Sequence, residues 1–439
     1  AKEIGSLKTV KRENYESFLK YLADCAENAT IDIDYSLWHS EEMPLMERLT
    51  EQAIIMSNKY TVVCTNPPYL GKLESHLKDF VVSEYKPYSG DLFSVFIYRN
   101  FGFCKSIGYS AFMTPNVWMS IKSYQALREY IMREKCIIGL VQMAHGAFNE
   151  VACVDVCAFI IKNKHENSDG TYIKLSDFKG NMDGQGEKCL YAVRNECEYK
   201  FYANNEDLML VPGSPITAYS ATHKTLQIYQ NAVLLGTIAE PKQGLATADN
   251  DRFLRMWYEV SISRINFHCV DFNETETQSV KWYPYNKGGD YRKWYGNNDY
   301  VVNWQNNGLE IKSFTDEKGK LRSRPQNTQF YFRECISWSL ISSYSIAFRY
   351  KPKGFIFDIA GMSCFANSAI PLLYLLALNN SCLTSKIMLM LAPTINYQSG
   401  NIANIPVIYN EHKADEIIAI VEDNIALAKN DWDAYEVSW

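Results

Sequence analysis

A short apolar strand that ends in an uncommon tetrad most constrains how this chain can fold. Residues 60–65 read YTVVCT, a β-branched run typical of a buried strand, and the tetrad Asn66–Tyr69 (NPPY) follows at once. Prolines cannot continue a ladder of backbone hydrogen bonds, so the strand must end in a stiff loop. A tight turn is the plainer interpretation, because asparagine and proline both favour turns.

Further apolar segments show helix and strand periodicity in alternation. Helices are predicted over Asp91–Cys104 and Ile121–Arg133, and strands over Ile107–Thr114, Ile137–Met143 and Val154–Ile161. Strands that alternate with helices favour a parallel α/β sheet with its active edge at the carboxyl ends of the strands. The tetrad is therefore expected at that edge.

The tetrad has the chemistry to hold an exocyclic amine. The amine of adenine is a poor nucleophile because its lone pair is delocalised into the ring. Two acceptors, the Asn66 side-chain oxygen and the Pro67 carbonyl, would bind both N–H groups and expose that lone pair to a methyl donor. The Pro67-Pro68 backbone would keep the carbonyl aimed, and Tyr69 would stack on a flipped base. Phe148 is the candidate for the second face of the base, with a core phenylalanine as the alternative.

Composition excludes several other classes of protein. The longest strongly apolar stretch, Ile370–Leu378, is far shorter than the ~20 residues of a membrane span. With no secretory signal pattern at the start, a cytoplasmic protein without membrane contact is predicted. The 12 cysteines form no Cys-x-x-Cys pair, and Asp299 with Glu310 and Lys312 gives only the outline of a nuclease core. No metal site is predicted.

A basic and aromatic segment in the second half predicts contacts with DNA. The net charge of −6 argues against a nucleic-acid binder, yet residues 281–324 carry nine Lys or Arg and five Asp or Glu. Basic side chains bind phosphates and guanine edges. The candidate ligands are Lys281, Lys287, Arg292, Lys293, Arg322 and Arg324. A solvated charged loop with buried aromatics is the alternative interpretation.

The motifs resemble those of the amino-methyltransferases in their order along the chain. After the tetrad come residues 89–97 (SGDLFSVFI), residues 108–115 (GYSAFMTP) and the region of Phe148. In the second half, residues 281–289 (KWYPYNKGG) and 292–296 (RKWYG) resemble the recognition region of the PglX-type enzymes of BREX phage-defence systems. These enzymes are relatives of the Eco57I-type restriction-modification methylases.

The resemblance implies part of a Rossmann-like class I methyltransferase domain, of α/β class, followed by a mixed α+β target-recognition domain. It implies S-adenosylmethionine-dependent methylation of adenine N6 in a specific DNA sequence, for phage defence or restriction-modification. Double-stranded DNA and other defence-system proteins are the implied partners. The expected segments are a catalytic domain over 1–165, a polar linker or insertion over 166–218, a recognition domain over 219–410 and a spacer helix over 411–439.

One departure from the family concerns the cofactor. The family has a glycine-containing fingerprint well before the tetrad, and nothing before Asn66 matches it. Ser6 and Leu7 fall where the family has a later adenine-contacting motif, so they are candidate cofactor residues. Phe93, in the segment after the tetrad, is a candidate for the adenine pocket, with a role in the helix core as the alternative. We therefore expect an internal fragment with an incomplete cofactor site. The alternatives are a catalytically silent DNA-binding fragment, or a methyltransferase that acts on a protein glutamine or an RNA adenine.

Overall fold

The computed structural model describes residues 4–27, 38–146, 154–178, 182–277, 280–343, 345–393, 395–436 and 438–439. Contacts between Cα atoms divide the chain into two compact units, residues 1–220 and 221–439. Each unit has a hydrophobic core of its own. Residues 166–218, expected as a polar linker, lie within the first unit.

A six-stranded sheet forms the centre of the first unit. Its strands are β1 (Tyr60–Thr65), β2 (Cys104–Pro115), β3 (Cys136–Gln142), β4 (Val156–Lys162), β5 (Gly170–Lys174) and β6 (Lys200–Ala203). They lie in the order β1-β2-β4-β3-β5-β6. β1 pairs in parallel with β2, whereas β4 runs antiparallel to both β2 and β3.

The four predicted strands are confirmed, but the prediction of a parallel sheet is wrong at β4. β4 is the next strand after β3 along the chain and pairs with it antiparallel, with Gln142 opposite Cys157, whereas a parallel neighbour would need a crossover over the sheet face. β5 and β6 extend the sheet within the segment expected as a linker. Both strands are short and partly polar, so composition does not distinguish them from a loop.

Seven α-helices accompany this sheet within the described residues of the first unit. They are α1 (Tyr15–Glu27), α2 (Met43–Ser57), α3 (Ser75–Tyr85), α4 (Leu92–Phe101), α5 (Gln125–Glu134), α6 (Met182–Arg194) and α7 (Asn205–Met209). Arg128 of α5 is 1% exposed, and its guanidinium donates to the carbonyls of Trp118, Ile121 and Gly213, each at 2.8 Å. These bonds connect the segment around Gly213 to the helical layer because a buried guanidinium must find acceptors.

The second unit mixes short strands with helices. Its strands are β7 (Val233–Leu234), β8 (Ala239–Lys242), β9 (Leu254–Met256), β10 (Trp282–Asn286), β11 (Tyr300–Asn303), β12 (Cys335–Ser339), β13 (Phe348–Lys351), β14 (Ile356–Phe357), β15 (Gly361–Ala366) and β16 (Pro406–Val407). Two four-stranded sheets have the orders β14-β10-β11-β9 and β13-β12-β15-β8, and β16 pairs with β7. Buried aromatic residues such as Tyr283, Trp304 and Phe332 fill the core beside the first of these sheets.

The helices of the second unit are α8 (His223–Asn231), α9 (Leu235–Ile238), α10 (Asn250–Phe253), α11 (Phe272–Thr277), α12 (Gln305–Lys312), α13 (Leu372–Asn380), α14 (Cys382–Leu391), α15 (Ser399–Ala403) and α16 (Ala414–Asp433). α16 lies in the segment expected as a spacer helix and packs along α13. Within the described residues, no single helix is both long and apolar enough to cross a membrane. α13 and α14 meet those limits only as a pair, and they are bent by 72°.

Candidate active site at the end of strand β1

The tetrad Asn66–Tyr69 begins directly after β1, at the edge toward which β1 and β2 both run. The parallel ladder ends at the pair Thr65 and Phe112, so Asn66 is the first residue beyond it. Asn66 and Pro68 are exposed, Pro67 is buried and Tyr69 is half-buried. The strand thus presents an exposed carboxamide on a backbone that two prolines stiffen.

The Tyr69 side chain folds back over the tetrad. Its hydroxyl oxygen lies 2.8 Å from Asn66 Oδ1 and 3.2 Å from the carbonyl oxygen of Met113 on β2. Its ring contacts Phe93 edge to face, with the ring centres 6.4 Å apart. Burial, and then the nearby Cys157 thiol, raise the pKa of Tyr69. The hydroxyl therefore stays protonated and able to donate at neutral pH.

Asp91 holds the loop after the tetrad against the start of α4. Its Oδ1 accepts from the backbone N–H of Leu70 at 3.1 Å and of Phe93 at 3.2 Å. One carboxylate therefore both anchors the loop and caps the helix. Asp91 is not among the predicted site residues, although Asp91 with Ser94 three positions later has the spacing of a capping box.

An open groove of about 710 Å³ extends from the tetrad across one face of the sheet. Its lining is mostly apolar and includes Ala111, Met113, Leu140, Val141, Ile160 and Ile173. Lys200 also reaches the groove and pairs with Glu196 at 3.1 Å. The volume suits a small molecule, but the described lining residues include no acidic side chain for ribose hydroxyls. These residues alone do not form a nucleotide cradle.

Comparison with known proteins connects this geometry to a family. Residues 4–148, which include the tetrad and Asp91, match the model of the Eco57I restriction-modification methylases. The chain is 36% identical over 453 residues to the adenine-specific methyltransferase PglX of Lacticaseibacillus casei (strain Zhang). It is 32% identical over 449 residues to the adenine-specific methyltransferase BrxX of Escherichia coli O9:H4 (strain HS). The chain is a relative of the PglX-type methyltransferases.

Both comparisons cover 100% of this PglX-like chain, which spans 36% of the length of PglX and 35% of that of BrxX. A solved structure of the type IIL restriction-modification enzyme MmeI in complex with DNA matches with a TM-score of 0.53 and 11% identity. The match covers 84% of this chain and 49% of that one. This likeness concerns the fold alone, and it confirms the predicted α/β class.

Phe148, the predicted second stacking face of the PglX-like chain, lies outside the described residues. β3 ends and β4 begins at the same edge of the sheet as the tetrad. His145 Nδ1 and Asp155 Oδ1 lie 2.8 Å apart at this edge. The role of Phe148 stays a prediction.

The three candidate cofactor residues lie close to α4. Leu7 and Phe93 are 2% and 1% exposed, and Leu7 packs in the core cluster that contains Leu92 and Val95. Ser6 is exposed, and its carbonyl accepts from Arg99 Nε at 3.1 Å. Of the three, Ser6 is thus the residue whose side chain reaches the surface. Leu7 and Phe93 are both buried, and the Phe93 ring packs against Tyr69 and Tyr124, so a cofactor contact by either side chain would require its neighbours to move.

Lys287, a predicted DNA ligand, pairs with a buried carboxylate. Its Nζ lies 2.8 Å from Asp358 Oδ2, and the Asp358 side chain is 1% exposed. The Tyr285 hydroxyl donates to the same oxygen at 2.5 Å, and the Ala360 N–H donates to Asp358 Oδ1 at 2.6 Å. The position of Lys287 is explained by the need to neutralise a buried charge.

Two more of the predicted DNA ligands have partners within the second unit. Arg292 pairs with Asp431 at 2.8 Å, and its guanidinium lies 5.0 Å from the centre of the Trp432 ring. Lys293 Nζ donates to the Asn380 carbonyl at 2.9 Å. Both side chains therefore connect the loop after β10 to helices α13 and α16.

Arg322 and Arg324 follow an exposed hairpin that turns between Thr315 and Leu321. The Arg322 guanidinium lies 5.1 Å from the centre of the Phe314 ring, and the Arg324 backbone pairs with that of Ala246. Both arginines are exposed, whereas Ser323 between them is buried. This exposed, buried, exposed order is typical of extended backbone, so we expect the two guanidinium groups on the same face. The remaining candidate, Lys281, is half-buried with its Nζ 5.4 Å from the Trp282 ring centre.

Asp299, Glu310 and Lys312 are the residues that have the outline of a nuclease core in the sequence. Glu310 accepts from Arg252 at 2.9 Å and from Asn303 at 2.7 Å, and the bond from Arg252 lowers the pKa of Glu310. Burial raises the pKa of Asp299. Over the part of the chain that the structure describes, no group of three or more His, Cys, Asp or Glu residues could hold a metal ion.

Proposed function

We propose that the protein transfers a methyl group from S-adenosylmethionine to N6 of adenine in a specific sequence of duplex DNA, in phage defence or restriction-modification. The observation that carries the proposal is the placement of Asn66. It is an exposed carboxamide at the end of a sheet strand, on a proline-stiffened loop, and it borders a groove of small-molecule size. The names of the relatives, adenine-specific methyltransferases, support the same chemistry.

The chain contributes acceptors and a stacking surface to this reaction. Asn66 Oδ1 and the Pro67 carbonyl accept hydrogen bonds from the two N6–H groups. These bonds favour a tetrahedral nitrogen whose lone pair is no longer delocalised into the adenine ring. The Tyr69 ring stacks on the base once it leaves the duplex. S-adenosylmethionine, when bound, would supply the electrophilic methyl group and leave as S-adenosylhomocysteine, and the proton lost from N6 would pass to solvent. The protein groups are positioned before the reaction, which is the condition for strong electrostatic catalysis.

Duplex DNA is favoured over a protein glutamine as the methyl acceptor by the second unit. This unit contains the hairpin segment with the exposed Arg322 and Arg324. Paired arginines of this kind bind phosphates and base edges. A methyltransferase that acts on a single amide of a protein partner has no evident use for such a surface.

Asn66→Ala in the complete gene product tests the proposal. Incubation with S-adenosylmethionine and DNA amplified in vitro, followed by nucleoside mass spectrometry, should detect N6-methyladenine with the parent protein. The substitution should lower kcat at least about 100-fold, the scale of losing one pre-organised hydrogen-bond partner. DNA affinity should stay within about threefold, because phosphate contacts dominate it.

Asn410→Ala is the matched control, because it removes the same kind of side chain from an exposed position that is distant from the tetrad in sequence. Its kcat should equal that of the parent protein. Full methylation by the Asn66→Ala variant would show that the tetrad does not carry the reaction. A methylated protein together with unmethylated DNA would favour the glutamine alternative.

A further inference from the structure

The Tyr69 hydroxyl lies between two oxygen atoms that both need a proton. Asn66 Oδ1 is 2.8 Å away and the Met113 carbonyl oxygen is 3.2 Å away. A phenolic hydroxyl carries a single hydrogen, so it can donate a good hydrogen bond to one of these oxygen atoms but not to both. The same oxygen has lone pairs that can accept a hydrogen bond. In the part of the chain that the structure describes, no group donates to them.

Rotation of the Asn66 amide by about 180° removes this conflict. The side-chain nitrogen and oxygen of asparagine have nearly the same size, and hydrogen-bond partners decide which atom occupies which place. With Nδ2 toward Tyr69, the amide donates to the hydroxyl oxygen and the hydroxyl donates to the Met113 carbonyl. Each of these two hydrogen bonds then has one donor and one acceptor.

We propose that the Tyr69 hydroxyl is a positioning group that selects this orientation of the Asn66 amide. The hydroxyl holds Nδ2, and Oδ1 points away from Tyr69 toward the exposed side, where it accepts from the substrate amine. This role rests on the proposed function and adds to the stacking role of the tyrosine ring. The opposite orientation would present an N–H donor to the N–H groups of adenine, which repel it.

Neighbouring residues hold the Tyr69 side chain in this position. Met113 lies on β2 one residue beyond Phe112, the last partner of β1, and pairs with Ala158 on β4, so its carbonyl is fixed by the sheet. The Tyr69 ring rests edge to face on the buried Phe93. Within the described residues, Asn66 Nδ2 has no other hydrogen-bond acceptor, so the tyrosine oxygen is the partner that can hold it.

Hydrogen exchange of the Asn66 side chain tests the orientation without any need for activity. The chain is labelled with 15N in its asparagine side chains, and the signal missing from Asn66→Ala identifies the Asn66 amide by NMR. One Nδ2 hydrogen should exchange about tenfold more slowly in the parent chain than in Tyr69→Phe, because it is held by the hydroxyl. Equal exchange in both would overturn the proposal, since an Oδ1 held by Tyr69 leaves both hydrogens in solvent.

Kinetics of the complete gene product give the second readout. Tyr69→Phe keeps the stacking ring and should lower kcat roughly fivefold, the scale of one lost hydrogen bond, with KM for DNA within twofold. Tyr258→Phe, at a tyrosine that is 55% exposed, is the matched control and should leave kcat unchanged. An unchanged kcat in Tyr69→Phe would contradict the role. If no DNA is methylated while the slow exchange persists, the proposed function fails and the orientation stands.

Discussion

Asp358 is a carboxylate buried beside the loop that follows β10, and it gives one of the predicted DNA ligands a partner within the fold. It receives Lys287, the Tyr285 hydroxyl and the Ala360 N–H. A buried carboxylate is tolerated only when it is neutralised and its lone pairs are filled. Lys287 supplies the charge, so its presence in a basic segment is accounted for within the fold.

Lys287→Met should therefore change stability rather than DNA binding. The free energy of unfolding should fall by about 3 kcal/mol, because the substitution leaves Asp358 buried without its cation. Urea denaturation measures this change. The exposed Lys353→Met is the control and should shift the midpoint very little. Unchanged stability together with a large loss of DNA affinity would instead identify Lys287 as a DNA ligand.

At this scale the tetrad could be predicted from sequence, because its four residues are consecutive and their chemistry is local. The contacts that position it could not be. Tyr69 meets Met113, 44 residues away, and Leu70 meets Asp91, 21 residues away. Such pairs depend on how β1, β2 and α4 come together, and one sequence without its relatives gives no signal for them.

Among the elements, the start of α4 connects helix stability to the site. Asp91→Ala should lower the free energy of unfolding by about 1 kcal/mol through loss of the helix cap. It should also lower kcat, since the N–H of Leu70 loses its anchor next to the tetrad. Asp91→Asn should keep most of the stability and most of the activity, because asparagine caps helices nearly as well as aspartate. Denaturation and methylation assays on the two variants check this, and equal losses in both would show that the negative charge matters instead.

The hairpin that carries Arg322 and Arg324 is the element that we expect to contact DNA phosphates. The Arg322→Ala, Arg324→Ala double variant should weaken binding and reduce the slope of log affinity against log salt by about 1 to 2, according to how many phosphates the two residues neutralise. Its thermal midpoint should stay close to that of the parent chain. Fluorescence anisotropy over a salt series measures the slope.

Lys386→Ala with Lys413→Ala removes the same charge from exposed positions elsewhere in the second unit. This control pair should leave the salt slope nearly unchanged. Equal reductions in both double variants would mean that net charge, and not the hairpin, governs binding. That outcome would leave no special role for Arg322 and Arg324.

Element types in the first unit followed from periodicity where the segments are long and apolar. β1 to β4, α4 and α5 all appear within a few residues of their predicted bounds. The direction of β4 was not predictable, because apolar runs look alike in either direction and pairing sets the choice. β5 and β6 were missed since five and four residues of mixed polarity resemble a loop.

For the whole molecule, the proposed catalytic and DNA-binding roles fall in different units. The chain carries a formal net charge of −6, so we expect the proposed DNA binding to depend on local basic surfaces such as the hairpin and not on the net charge. The tetrad belongs to the first unit and the hairpin to the second. This division explains why Asn66→Ala and the hairpin variant should separate catalysis from affinity.

Mapping of modified bases in genomic DNA tests the central claim most directly. Cells that carry the complete gene should contain N6-methyladenine at one recurring sequence motif, read by single-molecule sequencing. Cells that carry the same gene with Asn66→Ala should lack the modification at that motif while producing equal amounts of protein. Identical modification patterns in the two strains would contradict the assignment of adenine methylation to the tetrad.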